Sequence, residues 1–356
     1  MSTSVPAERK NILIVVIAGI GDLILASKSI RALRNGHPDA RMNLLTTTEA
    51  ADLARYCPYL DKVWNFPARE LRKDKKEIFR LPKLIQKLRK TDFHLVVNLY
   101  RAVSVVGALK MGVLFSALGG AQKVGHDHKG FGFFLDAKAP AGTFQNRHVV
   151  DAMVEIAELA GGMPDQEGID IFWDGSREKE WDHLFRDKKG PVIGINPGSD
   201  IPSKRWRPEN YARVADGLAG QFDGQIILLG GPGEEGIAGE IRKNMTREAI
   251  NLAGKVTLND LVGIINRLDL LVTNDSGPMH IGAATRTPLV AVFGPEDPKL
   301  FGPYASPDLF RVLYKEVACR PCAMKRCNNP ICLDSIAPEE VLESCIQLLR
   351  SRKEVS

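Results

Sequence analysis

The chain has 356 residues, of which 44% are hydrophobic and 26% are charged, and its formal net charge is +5. Such a chain is long enough for two α/β domains with sizeable cores, and its composition is typical of a soluble globular protein. The mild charge argues against a dedicated nucleic-acid-binding protein, and the absence of an apolar run of about 18 residues argues against a membrane-spanning helix.

The N-terminal half begins with an apolar run that mimics a signal peptide, because Arg9 and Lys10 precede Ile12–Ile20. Asp22 ends this run, however, and a segment with helical periodicity follows it at once. A strand, a turn and a helix are therefore the better interpretation. Over this half we predict strands near 11–17, 41–46, 61–65 and 93–98, and helices near 23–34, 48–56, 78–90, 103–118 and 147–160.

In the C-terminal half, a short apolar strand at Pro191–Asn196 is followed by a turn that suits phosphate groups. The hydroxyl of Ser199 and the amides of Gly198 and Ser199 can donate hydrogen bonds to phosphate oxygens. Lys204, a few residues later, can neutralise their charge. A second glycine-rich turn, Gly230–Glu235, follows the next predicted strand.

A third turn contains Asp275, Ser276 and Gly277, between an apolar strand near 270–272 and a helix that contains His280. Asp275 or Ser276 can cap this helix. The N-terminus of a helix is a ready anion site, because its amides point outward at the positive end of the dipole, and His280 lies in the first turn. The alternative is an ordinary strand–helix connection with a solvent-facing histidine.

Because the carboxyl ends of parallel strands meet at one edge, the three turns predict a ligand site there.

The alternation of strands and helices, which continues to about residue 293, predicts parallel sheets. The segment from Gly161 to about Asp174 is typical of the end of a domain. We therefore expect a first Rossmann-like domain over 1–175, including the start of the linker, and a second over 176–356. The linker itself lies within 165–190.

Several motifs together are similar to those of one known family. The C-terminal half contains PGS…KRW, LLGGPGEE, LAGKVTLNDLVGIINRLDLLVTNDSGPMHIGAA and TPLVAVFGPEDP…GPY, in that order, and the first strand and helix read NILIVVIAGIGDLILASKSIRALRNGHPDARMNLLT. This set resembles the ADP-heptose:lipopolysaccharide heptosyltransferases, glycosyltransferase family 9, over most of the chain and more weakly across 65–180. The resemblance implies an α/β fold of the GT-B class, in which two Rossmann-like domains with parallel sheets face each other across a cleft.

The resemblance also implies where each substrate binds. The acceptor would lie on the N-terminal domain and the nucleotide sugar on the C-terminal domain, and the last helix, 338–350, would pack back on the N-terminal domain. The implied activity is inverting transfer of heptose from ADP-heptose to the inner core of lipopolysaccharide, with no cofactor required for catalysis. The protein would be cytoplasmic and in peripheral contact with the inner face of the inner membrane, and nucleic acid is not an expected partner.

Asp22 matches the family's general base, which takes the proton of the attacking sugar hydroxyl. From the residues alone, Asp22 can also serve as the N-cap of the helix that follows it. Glu234 matches the family's ribose-binding glutamate, with Glu235 as the alternative, and a helix N-terminus favours acids at either position. We assign nucleotide-sugar binding to eight residues: Gly198, Ser199, Lys204, Glu234, Asp275, Ser276, Gly277 and His280.

Acceptor binding is assigned to Arg69, Arg72 and Lys73, which belong to a basic run that can contact anionic Kdo or phosphate groups of the inner core. The alternative is solvated surface, which most such runs are. Weaker acceptor candidates are Arg101, which follows a predicted strand, and three residues of a glycine-rich loop, His126, His128 and Lys129.

Four cysteines form a Cys-x2-Cys-x4-Cys-x4-Cys pattern in loop-like sequence: Cys319, Cys322, Cys327 and Cys332. This spacing suits a tetrahedral structural site, with zinc as the expected ion and iron as the alternative. The other interpretations are four reduced thiols or an oxidation-prone flap. Cys57 and Cys345 are typical of core thiols.

Two further functions compete with lipopolysaccharide heptosyl transfer. One is a family relative that uses another nucleotide sugar or a different surface acceptor. The other is a nucleotide-binding or metal-sensing module without transfer activity, which the presence of Asp22, Lys204 and His280 argues against.

Overall fold

The strands form two six-stranded sheets, and all strand pairs in the described part of the chain are parallel. The structure is a computed structural model that describes residues 9–353 except 103, 141, 143, 145, 146, 187 and 323. It divides into two units, Met1–Glu167 and Gly168–Ser356, each with one of the sheets. The division lies inside the range 165–190 in which the linker was placed.

In the first unit the strand order is β3-β2-β1-β4-β5-β6. The strands from β1 to β3 are added toward one edge of the sheet and those from β4 to β6 toward the other, so the strand order reverses between β1 and β4. Open α/β sheets bind ligands at such a point. The central strand is almost fully buried, as expected for a parallel sheet covered on both faces. The six strands are β1 Asn11–Val16, β2 Arg41–Thr47, β3 Lys62–Phe66, β4 Leu95–Asn98, β5 Gln122–His126 and β6 Ala137–Ala139.

The helices of the first unit cover both faces of its sheet. Helix α1 packs on α6, whereas α4 and α5 pack beside each other on a core that includes Leu88, Met111 and Phe115. Helix α4 precedes β4 and α5 connects β4 to β5, so both belong to connections that run in the same direction across the sheet. Because such connections are right-handed, the two helices lie on the same face. The helices are α1 Ile20–Gly36, α2 Thr48–Ala54, α3 Glu70–Lys73, α4 Leu81–Arg89, α5 Val105–Ala117 and α6 Val149–Leu159, with a 3-10 helix at Lys75–Arg80.

Two predictions for this unit need correction. The helix expected near 78–90 begins only at Leu81, because a 3-10 helix that ends at Arg80 precedes it. The loop expected around His126 is partly strand, since β5 ends at that residue and pairs with β4 and β6. Strand β5 is short and contains Gln, Lys, Gly and His, and β6 is only Ala-Lys-Ala, so no apolar pattern marks either strand in the sequence.

The second unit has the equivalent strand order, β12-β11-β10-β7-β8-β9, so its strand order reverses between β7 and β10. The strands are β7 Val192–Asn196, β8 Gln225–Leu228, β9 Ala249–Asn251, β10 Leu270–Asn274, β11 Leu289–Val292 and β12 Phe310–Leu313. The helices are α7 Pro208–Phe222, α8 Glu235–Asn244, α9 Leu258–Asn266, α10 Gly277–Ala284, α11 Pro298–Phe301, α12 Ile331–Asp334 and α13 Pro338–Lys353, and 3-10 helices span Gly175–Leu184, Pro202–Lys204 and Pro307–Leu309.

The last helix belongs to the second unit. Helix α13 packs against α7, β11 and β12, and its Val341, Cys345 and Leu348 side chains are buried in the core of that unit. The packing of this helix on the N-terminal domain, which the resemblance implied, stays a prediction. An apolar helix face is stabilised by whichever surface removes it from water, and here the sheet of its own unit does so.

The elements that frame the C-terminal turns follow from the sequence as predicted. Pro208 is the first residue of α7 and Pro278 the second residue of α10, and the fixed φ and missing N–H of proline suit a first helical turn. Strands β7 and β10 are buried along their whole length. Among the helices described, none has both the length and the apolarity needed to cross a bilayer.

Candidate functional site

The three turns that the sequence singled out follow β7, β8 and β10, which are neighbours in the C-terminal sheet. Parallel strands end at the same edge, so the turns lie together at the carboxyl edge of this sheet. The turns after β7 and β10 flank the point where the strand order reverses, which is where open α/β sheets bind ligands.

Asn274, the last residue of β10, joins these turns, and the sequence analysis missed it. Its Nδ2 donates to the carbonyl oxygen of Pro197 at 2.6 Å. Its Oδ1 accepts from the backbone N–H of Trp206 at 3.1 Å and from the hydroxyl of Tyr211 at 2.8 Å. Asn274 and Tyr211 are fully buried, and burial raises the pKa of the tyrosine. One amide thus fixes the turn after β7 and the segment that leads into α7.

Lys204 is held by two carboxylates. Its Nζ lies 2.7 Å from Oδ2 of Asp275 and 3.6 Å from Oε1 of Glu296, and its side chain is 13% exposed. Burial raises the pKa of Asp275, and the charge of Lys204 only partly offsets that effect. Asp275 therefore positions the lysine. Glu296, which the sequence analysis did not single out, lies a few residues beyond β11.

Gly198 and Glu234 lie against each other across the turns after β7 and β8. A Cβ at Gly198 would lie 2.1 Å from Oε1 of Glu234, so a side chain at this position would displace the glutamate carboxylate. Oε2 of Glu234 accepts from the N–H of Gly231 at 2.8 Å, and burial raises the pKa of this carboxyl. The exposed Glu235 instead lies beside Gly254. Of the two glutamates, Glu234 is the one beside the turn after β7.

Ser199 and Arg205 complete the turn after β7. The Ser199 hydroxyl accepts from the N–H of Ile201 at 3.2 Å, and its carbonyl oxygen accepts from Nε of Arg205 at 2.8 Å. The charge of Arg205 also lowers the pKa of Glu234, against the effect of burial. Arg205 therefore lies close to both turns, and the sequence analysis had considered only its neighbour Lys204.

Helix α10 begins at Gly277 with Ser276 as its N-cap, so the cap is the serine and not Asp275. The Ser276 hydroxyl lies 3.4 Å from the carbonyl oxygen of Asn274 and does not bond to an amide of the first turn. His280 is only 6% exposed. The alternative of a solvent-facing histidine is therefore wrong, because this face of α10 packs inward.

In the first unit, Asp22 follows β1, which lies at the point where the strand order reverses. It is the third residue of α1, whose N-cap is Gly19, and its Oδ2 accepts from the N–H of Gly19 at 3.2 Å. The alternative that Asp22 is itself the N-cap is therefore wrong, since it lies inside the first turn and its carboxylate reaches back to the N-cap residue. The residue is partly exposed. A carboxylate has two oxygens and several lone pairs, so this bond leaves it able to accept a further proton.

Of the acceptor candidates in the basic run, Arg69 and Lys73 are exposed. Nε of Arg69 lies 3.3 Å from Oε1 of Glu49, and Lys73 is exposed. The side chain of Arg72 lies outside the described part of the chain.

The weaker acceptor candidates cluster after β4 and β5. The guanidinium carbon of Arg101 lies 5.3 Å from the ring centre of Phe144, and the rings of His126 and His128 are 6.1 Å apart. Burial, and then the charges of His128 and Arg101, lowers the pKa of His126 to about 4. Lys129 is exposed. This cluster is cationic on its exposed side and neutral where it is buried.

The four clustered cysteines do not gather around one point. In the chain as described, no three His, Cys, Asp or Glu side chains lie close enough to hold a metal ion. Cys319 is exposed, whereas Cys332 is buried in the apolar core and burial raises the pKa of its thiol. In this arrangement the thiols do not fit a tetrahedral ion, and the metal site stays a prediction.

The cysteine-rich segment nevertheless contacts the candidate site. The Ser203 hydroxyl donates to the carbonyl oxygen of Met324 at 2.5 Å, and the N–H of Cys322 donates to the carbonyl oxygen of Pro295 at 3.0 Å. Nη2 of Arg320 donates to the carbonyl oxygen of Glu296 at 2.6 Å. The segment therefore holds Ser203, the neighbour of Lys204 in sequence, and the backbone at Pro295 and Glu296, whose carboxylate lies near the lysine.

The chain is similar in sequence to two known heptosyltransferases. It is 33% identical over 167 residues to lipooligosaccharide heptosyltransferase 2 of Campylobacter jejuni, which is 45% of this chain and 51% of that protein, so the match spans about half of the relative's length. It is 24% identical over 341 residues to lipopolysaccharide heptosyltransferase 3 of Escherichia coli, covering 93% of this chain and 97% of that one.

The structure also resembles that of ADP-heptose lipopolysaccharide heptosyltransferase II of Escherichia coli, with a TM-score of 0.77 at 22% identity, over 96% of this chain and 99% of that one. This likeness confirms the expected GT-B fold class. The model of glycosyltransferase family 9 (heptosyltransferase) matches residues 81–332, well over half of the chain. The chain therefore belongs to glycosyltransferase family 9.

Proposed function

We propose that the protein is an inverting glycosyltransferase that moves a heptose from ADP-heptose to an inner-core acceptor of lipopolysaccharide, at the cytoplasmic face of the inner membrane. The observation that carries this proposal is the meeting of Lys204, Glu234 and the N-terminus of α10 at one sheet edge. A cation, a half-buried carboxylate and outward amides are the groups that a nucleoside diphosphate requires. Membership of a heptosyltransferase family supports heptose as the sugar.

The diphosphate of the donor would lie between the turns after β7 and β10. The amides at Ser276–Gly277 and the positive end of the α10 dipole attract its oxygens, as do the amides of Gly198 and Ser199. Lys204 adds a positive charge that Asp275 holds in a fixed position. A preorganised cation and dipole stabilise the charge that grows on the leaving diphosphate, and no divalent ion is needed for that role.

Glu234 would bind the ribose of the nucleotide. Its carboxylate lies over Gly198, where a side chain at that glycine would displace it. A carboxylate can accept hydrogen bonds from both ribose hydroxyls, as acidic residues do in related dinucleotide folds.

Asp22 would take the proton of the acceptor hydroxyl. In the proposed step a bond forms between that oxygen and the anomeric carbon while the bond from the anomeric carbon to the diphosphate oxygen breaks. The proton passes to the Asp22 carboxylate, and the electron pair leaves with ADP. Attack from the face opposite the leaving group inverts the configuration.

A transfer assay with ADP-heptose and a panel of truncated inner-core acceptors tests the proposal. We expect turnover with an anionic inner-core acceptor, an inverted anomeric configuration in the product by NMR, and undiminished turnover in chelator. Lys204→Met should abolish most turnover, whereas Lys243→Met, which removes an exposed cation from α8, should not.

The competing functions give different results in the same assay. Turnover with another nucleotide sugar, or with an acceptor unrelated to lipopolysaccharide, would identify a family relative of different specificity. ADP binding without turnover for any acceptor would favour a nucleotide-binding module and contradict the proposal.

A further inference from the structure

Helix α5 is apolar on both of its sides. One side carries Met111, Leu114 and Phe115, which are buried in the core of the first unit. The opposite side carries Val106, Leu109 and Val113, which are between 55% and 70% exposed. A surface helix normally places polar residues on its outer side, so an outward apolar face of this kind marks an interaction surface.

The outward face of α5 extends beyond the helix. Val105 at its start is also exposed, and the ring of Phe133 lies against the helix, where a Cβ at Gly112 would be 2.9 Å from Cζ of that ring. Phe133 is itself 58% exposed although it packs edge-to-face on Phe134. The result is a continuous apolar ridge of valine, leucine and phenylalanine. We call it the α5 ridge.

A basic stripe lies beside this ridge. Helix α4 packs next to α5 on the same face of the sheet and turns its leucines inward. Its outer side carries Lys83, Lys87 and, just after its end, Lys90, all of them exposed. These lysines are spaced by four and three residues, which aligns them along one side of a helix, and no acid occurs between Leu81 and Lys90.

We propose that the α5 ridge and the lysine stripe of α4 together dock the protein on an anionic lipid bilayer. The ridge would enter the boundary between headgroups and acyl chains, while the lysines contact lipid phosphates. A second copy docking on this face would carry the same lysine stripe, so charge complementarity favours an anionic surface over self-association. The inference rests on the proposed function in one respect, because a lipid-linked acceptor would be presented at such a surface.

Vesicle co-sedimentation of the full chain tests the proposal. The probes are vesicles of phosphatidylcholine alone and of phosphatidylcholine mixed with phosphatidylglycerol. We expect binding to the mixed vesicles, weaker binding at high salt, and little binding to phosphatidylcholine alone. Val106→Asp/Val113→Asp should lower the partition coefficient on mixed vesicles about tenfold or more, because it places two charges at the membrane boundary.

Matched controls separate this surface from general charge effects. Leu159→Asp/Met163→Asp adds the same charges to two exposed apolar residues at the end of α6, on the other face of the sheet, and should bind like the wild type. Lys83→Glu/Lys87→Glu should also reduce binding about tenfold or more, whereas Lys179→Glu/Lys243→Glu, in the second unit, should not. The lysine pair keeps the test decisive should the valine pair fail to fold.

Three outcomes would overturn the proposal: no preference of the wild type for mixed vesicles, equal loss in the matched controls, or a wild-type dimer that Val106→Asp/Val113→Asp converts to a monomer. The last result would assign the ridge to a second copy of the chain. The vesicles contain neither donor nor acceptor, so this experiment tests membrane docking alone. The proposed function is tested separately, by turnover with a water-soluble acceptor.

Discussion

Nζ of Lys204 lies 2.7 Å from Oδ2 of Asp275, and only 4% of the aspartate side chain is exposed. A buried ion pair of this kind is weak evidence for stability, because desolvation opposes the attraction between the charges. It does fix a cation at the carboxyl edge of the sheet. We therefore expect the pair to matter more for binding the diphosphate than for holding the fold.

A double-mutant cycle on this pair tests that view. Asp275→Asn and Lys204→Met should each lower the free energy of unfolding, by about 1–3 kcal/mol, since each leaves the other group buried without its partner. The double variant should recover much of this loss, while its affinity for ADP, measured by titration calorimetry, should stay as low as that of Lys204→Met. Strictly additive losses in stability would show that the two side chains do not interact.

Asn274→Ala should destabilise the second unit by roughly 3 kcal/mol, because the Trp206 N–H and the Tyr211 hydroxyl would lose a buried acceptor. Urea unfolding measures this change. Asn244→Ala, which removes an exposed asparagine with one local hydrogen bond, is the matched control and should have little effect. ADP affinity should fall in the first variant, since the turn after β7 loses its tie to Pro197. Unchanged affinity would mean that this turn keeps its shape without Asn274.

Asp22→Asn should cut turnover about 100-fold or more, the usual scale for a lost general base, with ADP-heptose affinity nearly intact. The asparagine oxygen can still accept from the Gly19 N–H, so the melting temperature should hardly change. Asp22→Ala, in contrast, should lose both turnover and some stability, because it removes that bond too. Near-normal turnover of Asp22→Asn would restrict Asp22 to its capping role.

His126 should make stability depend on pH. Its pKa is lowered from 6.5 to about 4, mainly by burial. Between these values the unfolded chain binds a proton that the folded chain does not, so the free energy of unfolding falls as pH is lowered through this window. His126→Gln should reduce that fall in urea unfolding at pH 7 and pH 5. Above pH 7 the free energies of unfolding of the two proteins should differ by a constant amount. A difference that is also constant between pH 7 and pH 5 would contradict this assignment.

The cysteines allow two outcomes that metal analysis separates. The spacing predicts about one metal ion per chain in protein prepared without chelator, lowered by Cys→Ser at 319, 322, 327 or 332 but not by Cys57→Ser. The arrangement described above predicts four titratable thiols and no bound metal. Since the segment braces Ser203 and Glu296, any bound ion should also raise ADP affinity. Metal content that does not respond to these substitutions would place the ion elsewhere.

The elements at the C-terminal edge were predictable because local sequence specifies them. Apolar runs define β7 and β10, and Pro208 and Pro278 mark helix starts. Strands β5 and β6 were not predictable, since they are short, mixed in polarity and stabilised by pairing with neighbours instead of by an apolar pattern. The surface that covers the buried face of α13 was not predictable for a related reason, as its amphipathic pattern does not say which sheet will cover it.

The sequence by itself determined the two parallel-sheet units, the three turns and the residue types that line them. Only the tertiary structure decided which of those residues meet. Asn274 bonds to Pro197 across 77 residues of chain, and Lys204 pairs with Asp275 because β7 and β10 are adjacent strands. Such contacts depend on strand order, which local pattern does not encode. Burial likewise arises only when the sheets and helices pack. It is this packing that buries His280, and burial raises the pKa of Asp275 and Glu234.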